Sequence, residues 1–260
     1  MTGARRIVCL TEETTETLYL LGEGDRVVGV SGYTVRPPEA RKKPKVSAFI
    51  TAKTDKILDL KPDLVLAFSD LQADICATLI KEGLTVVCFN QRSVGEILRM
   101  VETVAALAGV PEKGRDLAAR LRDGLREVRE EASRLPRRPR VFFEEWYDPI
   151  ISGIRWVGEL VEIAGGEDLF PEMRAFPDAK RRILDPAEVV RRDPELVIGS
   201  WCGRKFRPEV VRSRPGWEAV DAVRTGRLVE VKSTIILQPG PAALTDGVRA
   251  LQKAIASAAQ

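Results

Sequence analysis

The chain has 260 residues, 44% of them hydrophobic and 30% charged, a formal net charge of +3 and no histidine. This is ordinary globular composition, in a chain long enough for two compact units. The interspersed charges argue against the basic stripe of a nucleic-acid binder, no apolar run approaches the roughly 20 residues of a membrane span, and the lack of histidine excludes Ser–His–Asp and Cys–His catalysis and histidine-type zinc sites.

Residues 5–10 (RRIVCL) read as a buried strand, and 11–22 as a helix that starts among threonines and stops at Gly22. Residues 26–30 (RVVGV) form the next strand, and the Pro-rich, basic stretch from Ser31 to Ala52 reads as a long loop. A short helix over 54–60, with Thr54 as its N-cap, leads to a strand at 63–68, a helix at 71–82 and a strand at 85–89. Strands alternating with helices point to a parallel α/β sheet.

Val94, Ile97, Leu98, Val101, Val104 and Ala105 keep helical spacing up to Gly109-Val110-Pro111, and Leu117, Leu121, Leu125, Val128 and Ala132 continue it to about Arg134. The second piece alone would be about 34 Å long. The spacing predicts a stiff helical strut over 93–135 between a lobe at 1–92 and a lobe at 136–260. The basic run 137–140 reads as a solvated linker. The second lobe opens with a strand at 140–146 and a turn at Asp148-Pro149. Helices at 155–164 and 185–192, strands at 195–200 and 227–233, a turn at 238–240 and a helix at 241–259 complete it.

The same pattern is written twice. KILDLKPDLVLAFSD (56–70) matches EVVRRDPELVIGSWC (188–202), with Pro62 on Pro194 and Asp63 on Glu195. TETLYLLGEGD (15–25) matches GELVEIAGGED (158–168), with Gly22 on Gly165. Two copies imply two similar lobes with a cleft between them, and such interfaces are where ligand sites preferentially form.

Ligands of parallel sheets meet the loops at the carboxyl ends of the strands. Those loops carry Tyr33, Phe68, Gln91 and Arg92 in the first lobe, and Glu145, Trp146, Arg155, Trp156, Trp201 and Gln238 in the second. Aromatic walls with a few charges suit a sizeable organic ligand, whereas Trp217 reads as packing. Glu144 and Glu145 are neighbours on a strand and point to opposite faces, so they do not form one acid/base pair. Cys202 reads as a structural thiol, and Gly22, Gly24 and Gly29 fall short of the dinucleotide fingerprint because Val27 holds the third glycine's place. No catalytic or metal-binding residue is assigned.

The runs TEETTETLYLLGEGDRVVGVS, ILDLKPDLVLAF, ELVEIAGGEDLF, DPELVIGS, RPGW and LQPGPAALTDGVRAL together resemble the helical-backbone class of solute-binding proteins, most closely the cobalamin-binding proteins of ABC importers. The resemblance implies two α/β lobes joined by one long backbone helix, with a ligand held between them against aromatic residues such as Phe68 and Tyr33. It implies a monomer that needs no cofactor and binds a corrinoid such as cobalamin. A ferric siderophore or haem ligand, or an enzyme on the same scaffold using Glu144 or Glu145 with Arg155, are the alternatives. It further implies docking to an ABC permease through one acid per lobe: Asp74 in the first and, near Ala187 and Asp185, Glu188 in the second. The N-terminus enters a strand with no visible signal peptide, and the four scattered cysteines, Cys9, Cys76, Cys88 and Cys202, show no CxxC spacing. Both features predict a cytoplasmic protein, the alternative being a periplasmic one whose signal has been removed.

Overall fold

The computed structural model describes residues 3–260. The chain forms two compact units: residues up to Gln91 with Gly95–Arg122, and Arg92–Val94 with Asp123–Gln260.

In the first unit the order is β1 (Ile7–Cys9), α1 (Glu12–Leu20), β2 (Val27–Ser31), β3 (Lys45–Ala48), β4 (Thr51–Ala52), α2 (Thr54–Asp59), β5 (Leu64–Phe68), α3 (Ala73–Lys81), β6 (Val86–Phe89), α4 (Val94–Leu107) and α5 (Pro111–Ala132). The six strands lie in the order β4-β3-β2-β1-β5-β6, parallel except for the β3–β4 hairpin. Every residue of β1 and of β5 is buried, as in a sheet covered on both faces. Val8, Leu10, Val65 and Ala67 face Ile57, Cys76 and Leu79 of α2 and α3. Each fully buried Val, Leu or Ile stabilises by roughly 1.5–3 kcal/mol relative to exposure.

The loop expected from Ser31 to Ala52 in fact contains β3 and β4. Thr54 is the first helical residue of α2 and Lys53 the cap, with no side-chain cap bond. The expected continuous strut is two helices: α4 ends at Leu107, Gly109 turns with φ +75°, and α5 restarts at Pro111. A left-handed glycine followed by a proline that lacks an N–H stops one helix and opens the next. The 22-residue α5, about 33 Å long, begins in the first unit and ends in the second.

The second unit holds β7 (Arg140–Tyr147), β8 (Ile150–Ser152), α6 (Arg155–Ile163), β9 (Glu167–Asp168), α7 (Pro186–Arg192), β10 (Leu196–Gly199), α8 (Pro208–Arg212), α9 (Asp221–Arg224), β11 (Leu228–Glu230), α10 (Ser233–Ile236) and α11 (Val248–Ala258), the last preceded by a π-helical turn at Ala243–Gly247. Its sheet runs β11-β10-β7-β8, with β9 pairing parallel to β7 and β8 antiparallel to it. The core joins Phe142, Phe170, Val197, Trp201, Phe206 and Trp217. Trp217 is fully buried and meets Phe142 edge-on at 6.3 Å between centroids, which is the packing role expected of it.

The duplicated motif has a physical meaning at the amino edge of each sheet. Lys61 and Asp193, each just before a proline, both take φ +46°. The following acid then accepts backbone N–H groups that open a strand: Asp63 from Arg5 and Arg6 at 2.7 and 2.9 Å, and Glu195 from Arg140 at 2.9 Å. The strand-opening arginine returns the contact. Arg6 donates to the carbonyls of Leu60 and Lys61, and Arg140 to that of Asp193. Gly22 and Gly165 match likewise, with φ +77° and +93° just past α1 and α6, a conformation in which a Cβ is strained. The repeat therefore encodes the tying of strand starts at the amino edge of two separate sheets, with β5 in one and β10 in the other.

Candidate functional site

A built pocket stands at the carboxyl end of the second unit's sheet, where β7 and β10 lie side by side with Glu144 opposite Gly199. It is an open pocket of about 370 Å³, lined by Tyr147, Trp201, Arg204, Lys205 and Arg207. Four aromatic rings run in series. Trp146 and Tyr147 lie 5.1 Å apart, Tyr147 and Trp201 4.5 Å, and Trp201 meets Phe206 edge-on at 5.1 Å. The loop carrying the cations folds down because β10 ends in Gly199, where any Cβ would overlap the Phe206 ring. Phe206 is thus pulled into the core, and Arg204, Lys205 and Arg207 are left exposed above it.

Below the rings is a buried ionic node. Glu144 is fully buried. Its carboxylate accepts from Arg214 at 2.5 and 3.0 Å and from the Trp201 indole N–H at 2.9 Å. Arg214 also donates to the Tyr147 carbonyl at 3.2 Å and lies over the Trp217 ring at 4.5 Å. A paired buried carboxylate that holds one ring directly and its neighbour's backbone fixes both against rotation. Above, Arg204 donates to the Tyr147 hydroxyl at 2.9 Å and lies 5.6 Å from the Trp146 ring centroid. The result is an aromatic wall rimmed with positive charge, suited to a flat ligand with anionic or oxygen-rich edges.

The structure sorts the predicted residues. Trp201 supplies the pocket floor, but at 2% exposure it is a core residue, so removing it empties a packed site rather than trimming a wall. Trp156 is corrected outright: it is buried in α6 and spends its indole N–H on the Ile236 carbonyl at 2.9 Å. Glu145 clamps the buried Arg182 bidentately at 2.8 and 3.0 Å, a structural role, and exposed Arg155 pairs with Glu159 one turn along α6 at 2.8 Å. Phe68 and Gln91 are buried. Arg92 and Gln238 are half-buried, as is Trp146, whose N–H is held by the Asp148 carbonyl. Tyr33 remains 60% exposed. Glu188 is half-buried, not fully exposed as a docking acid would be expected to be, and its charge is met by Arg191 and Arg192, while Asp74 is exposed in the first turn of α3.

Some site residues were missed by sequence reading. Arg204, Lys205 and Arg207 form most of the pocket lining beside Tyr147, which sequence reading had placed at a strand end, and the basic loop after a strand that ends in Gly-Ser-Trp was the available signal. In the first unit, Ile50 and Leu71 stand 67% and 58% exposed on loops past the carboxyl ends of β3 and β5. Buried Gln72 ties these loops together, accepting from the Phe68 N–H at 3.0 Å and donating to the Phe49 carbonyl at 2.7 Å. Beside them, just past β1, lie Glu12 and Glu13. Burial pushes the Glu13 carboxyl up to about 8 and raises that of Glu12 as well. Among the described residues no group of three or more His, Cys, Asp or Glu side chains could hold a metal ion, and no helix is long and apolar enough to cross a membrane.

Residues 7–234 match the family described as periplasmic binding protein. An uncharacterized ABC transporter substrate-binding lipoprotein of Bacillus subtilis is 27% identical, over 96% of this chain and 80% of its own length. The vitamin B12-binding protein of Vibrio cholerae is 32% identical, over 76% of this chain and 71% of its own. The apo structure of the periplasmic heme-binding protein RhuT from Roseiflexus sp. RS-1 superposes with a TM-score of 0.83 at 25% identity, covering 99% of this chain and 100% of that one. All three are named as binding proteins, the Bacillus one as a lipoprotein and the Roseiflexus one as periplasmic, and these two overturn the expected cytoplasmic location in favour of an extracytoplasmic one. The two separate sheets, the duplicated edge motif and the span of the match agree: the chain belongs to the periplasmic binding protein family.

Proposed function

We propose that this protein is the substrate-binding component of an ABC importer and that it binds a corrinoid of the cobalamin class. The observation that carries the reading is the pocket of Tyr147, Trp201 and three cations, whose tilted aromatic rings and positive rim suit one edge of a large macrocycle with amide side chains and a phosphodiester. Sequence likeness to a vitamin B12-binding protein supports the same class. Exposed Tyr33, Ile50 and Leu71 give the first unit an apolar ligand surface of its own. Asp74 is the acid available for contact with a permease. Catalysis has no part in this reading.

Ferric haem is the second reading, favoured by one feature: the Tyr147 hydroxyl, oriented by Arg204, is an oxygen able to ligate ferric iron. Titrations of cyanocobalamin, cobinamide and haemin, followed by quenching of tryptophan fluorescence, decide between them. The corrinoid reading expects saturable quenching by cyanocobalamin, weakened about tenfold (~1.4 kcal/mol) in Arg204→Ala. Saturation by haemin alone, lost in Tyr147→Phe, would establish the second reading and refute the first.

A further inference from the structure

Gln72 is fully buried at the carboxyl edge of the first unit's sheet, at the N-cap position of α3, yet its side chain makes no cap bond. Both ends of its amide are spent on other segments: Oε1 accepts from the Phe68 N–H at 3.0 Å and Nε2 donates to the Phe49 carbonyl at 2.7 Å. Phe68 ends β5, and Phe49 opens the turn of the β3–β4 hairpin. These strands are not neighbours. β2 and β1 lie between them, which separates β3 from β5 by roughly 14 Å at the usual strand spacing. The sheet ladder therefore fixes neither loop against the other, and the hairpin leans across the ends of β2 and β1 to reach Gln72. A second bond follows the same path: the Ser47 hydroxyl of β3 donates to the carbonyl of Leu10, just past β1, at 3.1 Å. On the other side the β5 turn holds buried Ser69 at φ +66°, with its hydroxyl accepting from the Leu71 N–H at 3.3 Å. A strained turn of this kind persists only where its surroundings over-determine it. The residues next to these bonds are Ile50 and Leu71, large apolar side chains that stay exposed.

We propose that Gln72 is a positioning residue for ligand binding: it anchors the β3–β4 hairpin to the β5 turn, so that Ile50 and Leu71 meet the ligand as one preset apolar surface. That role rests on the reading of the first unit's loops as ligand-facing. The amide suits the task because Phe68 offers an N–H and Phe49 a carbonyl, so the side chain between them must carry an acceptor and a donor at once. Loops already fixed lose little freedom when a ligand settles on them, and affinity rises by the ordering cost that is avoided. Ile50 and Leu71 touch the ligand in this scheme, whereas Gln72 acts only through them.

The test compares the full chain with Gln72→Met, which fills the space and makes neither bond, and with Ser47→Ala, a milder release of the same hairpin that carries the measurements if Gln72→Met does not fold. Hydrogen exchange of the free proteins, read by mass spectrometry, needs no ligand. In Gln72→Met, peptides covering residues 47–52 and 68–72 should exchange at least about tenfold faster, with β1 and the second unit unchanged; Ser47→Ala should show a smaller gain over 47–52. Unchanged loops, or equal acceleration throughout the first unit, would overturn the proposal. Titration with cyanocobalamin, or with haemin if only that saturates, reads the consequence. Affinity should fall about tenfold in Gln72→Met, and the same change should cost little more in a chain already carrying Ile50→Ser and Leu71→Ser, because the surface it positions is gone. Losses that simply multiply would show that Gln72 acts elsewhere and would overturn it too. If neither probe saturates the unaltered chain, the corrinoid and haem readings fall, and exchange alone decides whether Gln72 anchors the hairpin.

Discussion

Replacing Arg214 by methionine should be among the most damaging single changes in the second unit. Glu144 is fully buried, and among the described residues Arg214 supplies two of the three hydrogen bonds to its carboxylate and the ion pair. Methionine fills similar space but leaves a carboxylate held in the core by the Trp201 N–H alone. Breaking one side of a buried pair costs about 3–5 kcal/mol, a large part of a typical total stability of about 5–15 kcal/mol. With a urea slope of about 1–3 kcal/mol/M, the unfolding midpoint should fall by roughly 1–5 M. Tryptophan fluorescence in a urea titration measures it directly, since Trp201 and Trp217 both touch the node. Glu144→Gln with Arg214→Met removes the stranded charge, and it should be more stable than Arg214→Met alone. If the single change cost less than about 1 kcal/mol, or if the two changes simply added, the node would not be the constraint described.

Two further outcomes are expected. Glu13 titrates near 8 in the folded state against an ordinary 4.5, because burial disfavours its charge. A raised carboxyl keeps its proton in the folded state, so its contribution is fully present below about pH 4.5. It is lost as pH rises towards 8, by up to about 1.4 kcal/mol per unit. Denaturation midpoints of Glu13→Gln should therefore fall less over that window than those of the unaltered chain, and parallel curves would show that Glu13 is ionised in the fold. Asp74→Lys, exposed in the first turn of α3, should leave ligand titrations unchanged and cost only about 0.3–1 kcal/mol through the helix dipole, whereas uptake through a cognate permease should fall. Unchanged uptake would remove Asp74 from the docking surface.

Much of the fold was legible because its signals are local. Gly22 and Gly165 stop helices through their own backbone freedom, and Asp63 and Glu195 recur because each sheet needs an acceptor at its opening strand. The short strands β3, β4 and β8 escaped reading, since two to four residues do not establish a period and Pro and Lys around β3 look like loop. The break between α4 and α5 was written in Gly109 and Pro111, but helical spacing on both sides made one strut look continuous.

By itself the sequence determined that there would be two α/β units, where their strands would end, and that aromatic residues would cluster at those ends. Only the tertiary structure decided which way each side chain turned. Trp156 went inward because its N–H found a carbonyl 80 residues away, and Trp201 because Glu144 lay 57 residues before it and Arg214 completed the node. A strand-end position sets where a side chain starts. Its direction is set by polar partners and packing contributed from distant parts of the chain, and those become neighbours only once the sheet has formed.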